Sequence, residues 1–168
     1  DNMEYFDVLD KDRNLQNYSK KRGTKLLKNE YNQGAEIYII CNNKILITQR
    51  SKTKSHPNMW EVPGGCSIID ESSIDTALRE MKEELGITFI KDDLTLLDTS
   101  IYKKMFVDMY ISNKFINIDE IILQKEEVSD IKFVSNKELN QMINDKQVVE
   151  SVVNRYNLIR NKLKMEDN

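Results

Sequence analysis

The sequence predicts an α/β domain, and three observations predict it. A capped amphipathic helix stands at residues 72–86, β-rich segments flank it on both sides, and a further helical pattern closes the chain. Strand and helix periods alternate along a chain short enough for one core to serve. The whole of 1–168 is expected to be a single domain with an N-terminal extension over 1–32. Only five Gly and two Pro leave little material for linkers.

In chain order, Glu4 to Asp10 reads as a strand and Lys11 to Asn14 as a polar turn. Lys20, Lys21, Arg22, Lys25 and Lys28 surround Gly23 and read as a solvated connection, or as a basic run that recruits an anionic substrate. Glu36 to Ile40 and Lys44 to Gln49 read as a hairpin about Asn42-Asn43. Arg50 follows, and Pro57 restricts Ser55-His56-Pro57 to an extended or turn conformation. Trp60, the sole tryptophan, is a packing residue or a platform for stacking a substrate base.

The helix at 72–86 opens on Ser72, with Asp75 placed for a capping box, and stops at Gly86. Ile74, Leu78, Met81 and Leu85 share one stripe, and Glu80, Glu83 and Glu84 group roughly 120° from it. Carboxylates at such spacings repel each other by about a few tenths of a kcal/mol per pair. The pattern is either a solvated acidic face or a cluster of hard oxygen ligands of the kind Mg²⁺ and Mn²⁺ require.

Beyond the helix, Leu94 to Ile101 and Met105 to Ile116 read as strands, the second with one more polar side. Asn117 to Lys125 is a connection, Val128 to Val134 a strand, and Ser135 to Glu138 a capping box opening a helix to about Asn144. The last element, 148–166, reads as a helix with an apolar stripe of Val149, Val152, Val153, Tyr156 and Ile159. It packs on the domain or mediates a homodimer.

Residues 64–87 resemble the Nudix box, G-x5-E-x7-R-E-U-x-E-E-x-G-U with U aliphatic, through Gly65, Glu71, Arg79, Glu80, Met81, Glu83, Glu84, Gly86 and Ile87. Every fixed position is filled, and the preceding Met59 to Gly65 is similar to the lead-in of MutT-like members. The resemblance implies an α/β/α sandwich with a mixed central sheet whose box helix carries a metal site. It implies Glu83 and Glu84 as main ligands of Mg²⁺ or Mn²⁺, Glu80 as a further ligand or the general base, and the carbonyl of Gly64 as another ligand. Arg79 would orient the carboxylates with Glu71 as its partner, and Gly65, Glu71 and Gly86 would shape the motif. A further glutamate before the last strand, Glu127 or else Glu126, would be a ligand or base. Arg50 would meet substrate phosphates. The Gly64-Gly65 pair is expected to form a turn letting backbone approach the metal.

The implied activity is divalent-metal-dependent hydrolysis of a small-molecule nucleoside diphosphate derivative. A nucleotide-sensing module without catalysis is the first alternative. An isopentenyl diphosphate isomerase is the second, suggested by a likeness of the N-terminal extension, but the catalytic Cys position falls on Gly64 and the chain has one His. A net charge of −3 argues against nucleic acid as partner. The absence of a long apolar run, of a signal-like N-terminus and of a metal-type spacing for Cys41 and Cys66 suggests a cytoplasmic, reducing setting without a membrane partner. Cys66 is a small buried residue or a reactive one beside the metal loop.

Overall fold

The computed structural model describes residues 5–166, so Glu4 of the first expected strand lies outside the described residues. Two layers of helix enclose a mixed sheet. Its strands are β3 (Asn32–Cys41), β4 (Lys44–Arg50), β5 (Trp60–Glu61), β6 (Gly64–Cys66), β7 (Thr95–Tyr102), β8 (Met105–Ser112) and β9 (Val128–Val134). The order β5-β4-β3-β8-β7 forms its main path, with β6 on β3 and β9 on β4. β3 and β8 run parallel, and the other pairs are antiparallel.

β3 is apolar on both sides because both sides are covered. Ile37 and Ile39 pack with Ala77, Met81 and Leu85 of helix α1 (Ser73–Leu85). Tyr38 points the other way, to Val152, Tyr156 and Ile159 of α3 (Glu150–Ile159) and Leu139 and Met142 of α2 (Asn136–Asn144). The period of two along β3 thus supplies both cores. The final helix packs on the domain; it is regular only over Glu150–Ile159 and ends in a 3-10 turn, Arg160–Lys162. Among the described residues no helix is long and apolar enough to cross a membrane.

The capping boxes at Ser72 and Ser135 and the left-handed Gly86, at φ 68°, stand where the sequence puts them. So does the β3–β4 turn, where Asn42 and Asn43 take the positive φ of a tight hairpin. Three expectations change. β8 has no polar side: held between β3 and β7, it buries Asp108, which accepts hydrogen bonds from Arg13 (2.7 and 3.0 Å), Thr99 (2.6 Å) and Ser73. Burial would raise that carboxyl, yet these bonds hold it below its ordinary value. The strand read through Ile116 stops at Ser112.

The third change is at the N-terminus. Residues read as a solvated connection include part of a strand, β2 (Leu15–Lys21), paired with β1 (Tyr5–Leu9). The loop after it is tied by buried Glu30, which accepts from Tyr18 Oη (2.6 Å), Lys20 Nζ (2.6 Å) and Leu27 N (2.7 Å). The bonds from Lys20 first, then from Tyr18, draw the Glu30 carboxyl down from 4.5 to about 2. A depressed carboxyl stabilises the fold above its unfolded value and stops doing so as pH falls through its folded value. The stability gap between wild type and Glu30→Gln, followed by thermal melts, should therefore be constant above pH 4.5 and close between pH 4.5 and about 2.

Candidate metal and phosphate site

The lead-in to α1 is a short strand where a turn is expected. β6 pairs antiparallel with β3, Gly64 opposite Glu36 and Gly65 opposite Ala35. Both glycines are there for space. A Cβ on Gly64 would stand 2.1 Å from the Ala35 carbonyl oxygen, and one on Gly65 would stand 2.5 Å from Glu80 Oε1. The strand brings the Gly64 backbone to the cleft floor, and α1 lays its acidic face alongside.

Arg79 organises that face. Its Nε donates to Glu71 Oε2 (2.7 Å) and its Nη2 to Glu71 Oε1 (2.9 Å) and the Cys66 carbonyl (3.1 Å). Its Nη1 donates to Glu80 Oε1 (2.9 Å) and Glu83 Oε2 (3.2 Å). All five donors of the guanidinium are thus engaged. Burial would raise the Glu71 carboxyl, but the bonds from Arg79 and from Thr76 Oγ1 (2.7 Å) keep it below its ordinary value. Glu71 is the expected partner of Arg79.

A cleft of about 500 Å³ opens beside this face, lined by Gly64, Gly65, Glu84 and Glu127 among others. Loss of solvent, then the neighbouring Glu80 carboxyl, pushes Glu84 well above its ordinary value, and Glu61 adds to it. Burial likewise raises Glu61 and Glu36, which also line the cleft. Carboxylates crowded and withdrawn from water are a donor set that a hard divalent cation relieves, so these residues fit Mg²⁺ or Mn²⁺. Among the described residues, no three acidic, histidine or cysteine side chains already converge on one point. Glu80 and Glu83 are turned to Arg79 instead.

The remaining expected residues divide. Glu127 lines the cleft and forms an ion pair with Lys54, whereas the Glu126 side chain is exposed outside it. Arg50 lines the cleft with its donors held by Glu61 (3.0 and 3.2 Å) and by Ser55 O and Oγ (2.6 and 2.9 Å). Trp60 is not a stacking platform: it is 9% exposed, in the core under α2 and α3, with Lys132 Nζ 4.6 Å from its ring centroid. Successive strand residues face opposite ways, so Glu61 reaches the cleft and Trp60 does not. Cys66 is half-buried and lines the cleft, and loss of solvent raises its thiol, which disfavours the reactive thiolate.

The sequence reading passed over Glu36, Glu61 and Arg155. Arg155 Nη2 donates to Glu36 Oε2 at 2.7 Å inside the cleft wall. A charged residue within the apolar run Ala35–Cys41 signals a buried pair, since an unpaired charge there is very costly.

The model of the NUDIX domain family matches residues 31–155. An uncharacterised Nudix hydrolase from Listeria innocua is 32% identical over 143 residues, covering 83% of this chain and 85% of that protein. Among solved structures, DR0079 from Deinococcus radiodurans superposes with a TM-score of 0.72 at 18% identity, over 87% of this chain and 92% of that one. A bifunctional NMN adenylyltransferase/ADP-ribose pyrophosphatase from Francisella tularensis, complexed with AMP and a Mn ion, gives 0.63 at 17%, over 79% and 42%.

The two glycines should respond differently to alanine. Gly64→Ala meets backbone, which cannot yield, and should lower the melting temperature by an amount matching about 1–3 kcal/mol. Gly65→Ala meets a carboxylate that can swing away, so it should melt near wild type while Mn²⁺ affinity, titrated by electron paramagnetic resonance, falls.

Proposed function

As the chain belongs to the Nudix family, hydrolases of phosphoric anhydride bonds, we propose that it is a divalent-metal-dependent pyrophosphohydrolase acting on a nucleoside diphosphate linked to another moiety. One observation carries this reading: an intact set of box carboxylates, with Glu71, Glu80 and Glu83 organised by Arg79 and Glu84 lining a cleft with phosphate-sized room beside them.

Each residue has a task. Glu83, Glu84 and the Gly64 carbonyl would hold Mg²⁺ or Mn²⁺, with Glu80 or Glu127 adding a ligand. The cation, when bound, neutralises diphosphate charge and acidifies water. Arg79 holds the Glu80 and Glu83 carboxylates in place and itself stays cationic: burial opposes its charge, and Glu71 and Glu80 more than offset that. Either Glu80 or Glu127 would take the proton of the attacking water, a contribution of typically ~10²- to 10⁴-fold. Water attacks phosphorus, the anhydride P–O bond breaks, and the phosphate leaving group departs with its electron pair. Arg50, its charge offset by Glu61, would set the orientation of a phosphate beside the cleft wall.

The Francisella protein, a structural neighbour, is complexed with AMP and a Mn ion, which agree in kind with this reading. The test is chromatographic detection of the nucleotide product released from nucleoside triphosphates, nucleotide sugars, ADP-ribose, dinucleoside polyphosphates and coenzyme A with Mg²⁺ or Mn²⁺. Metal-dependent turnover of one class is expected. Glu83→Gln, of similar shape and uncharged, should lose about 100-fold or more in kcat at an unchanged melting temperature. Near-full activity in that variant would remove Glu83 from the site.

A further inference from the structure

The β1–β2 hairpin precedes the residues matched by the family model, 31–155, yet it is firmly attached. Phe6, Val8 and Leu9 are buried. Leu9 and Tyr31 exchange backbone bonds of 2.7 and 2.8 Å, Ile69 N donates to Tyr5 O (3.2 Å), and Asp70 N donates to Asp7 Oδ2 (2.8 Å). Two of these bonds fix the hairpin to the loop that leads into α1. β2 ends at Lys21, and the next residue, Arg22, lines the cleft beside Cys66 and Met105.

Charge pairing separates Arg22 from its neighbours. Four cationic side chains line the cleft. Arg50 is paired with Glu61, Lys54 with Glu127 and Arg155 with Glu36, so a substrate phosphate reaching any of them competes with a carboxylate already in place. Arg22 is exposed and, among the described residues, has no hydrogen-bond or ion-pair partner. A free guanidinium presents a planar fork that matches a phosphate with two parallel bonds.

We infer that the N-terminal hairpin is a wall of the substrate site and that its Arg22 binds a phosphate group of the diphosphate substrate. The inference rests on the hydrolase reading and names a specificity residue for that same cleft, contributed by an element outside the matched family span.

The experiment is calorimetric titration of methylenediphosphonate with Mg²⁺, a diphosphate mimic whose P–C–P bridge cannot be hydrolysed. Wild type is compared with Arg22→Gln, Arg22→Lys and Lys11→Gln. Lys11 sits in the turn at the far end of the hairpin, about 20 Å of strand away and beyond the ~8 Å screening length of physiological salt. Arg22→Gln should weaken binding about tenfold or more, Arg22→Lys should fall between, and Lys11→Gln should match wild type. In turnover, Arg22→Gln should raise KM with kcat within about twofold, the pattern of lost ground-state binding.

Equal affinity in Arg22→Gln, an equal loss in Lys11→Gln, or no binding by wild type would each overturn the inference. Binding here needs no hydrolysis, so a protein that binds the diphosphonate through Arg22 but cleaves no anhydride would refute the hydrolase reading and leave the assignment of Arg22 standing.

Discussion

The guanidinium of Arg79 is the interaction on which the site depends. Its five bonds join the end of β6, through the Cys66 carbonyl, and the loop after it, through Glu71, to two acids of its own helix. Three carboxylates within reach of one another would repel, and a helix bearing them would gain nothing from its acidic face. One planar cation with every donor occupied turns that repulsion into a fixed geometry. Gly65 completes the arrangement from the opposite side, since a side chain there would occupy the place of the Glu80 carboxylate.

The cleft behind Arg79 is built on the same principle of opposed charges at short range. Glu36 with Arg155, Glu61 with Arg50, and Glu127 with Lys54 line the cleft, the first pair buried and the last partly exposed. Such pairs add little net stability, because desolvation offsets their attraction, but breaking one leaves a buried charge uncompensated. Their value to a phosphate site lies elsewhere. Paired cations are held still, and paired carboxylates do not repel an anion as free ones would. The sum is a polar wall of nearly balanced charge in which unpaired carboxylates are confined to the edge near Glu84.

Local features were legible in the sequence because their causes are local. Ser72 with Asp75, Ser135 with Glu138 and the left-handed Gly86 set helix ends within a few residues of themselves. The box spacing identified the acids and Arg79 in the same way. β2 was not legible, since Leu15–Lys21 is mostly exposed and shows no alternation of buried and exposed residues; what holds it is pairing with β1 and the distant carboxylate of Glu30. Trp60 drew attention as the sole tryptophan, while its neighbour Glu61 faces the cleft. Side-chain direction on a two-residue strand depends on what pairs with it, here β4, and no window of sequence contains that information. Asp108 was misread for a related reason: its polar character suggested a solvated side, whereas it meets Arg13, Ser73 and Thr99 from three other elements.

The parallel pairing of β3 with β8 has a kinetic consequence. Residues 32–39 are matched to residues 105–112, and β6, the Arg79 helix and β7 all lie in the intervening chain. Parallel strands so far apart close a long loop, and the entropy of closure is met before their contacts reward it. β6 docks on β3, and α1 packs on the β3 face that this closure completes. The carboxylate cluster is therefore tied to a long-range pairing of the sheet. A chain folded only as far as its local hairpins and helices would carry every proposed ligand residue and yet have no site.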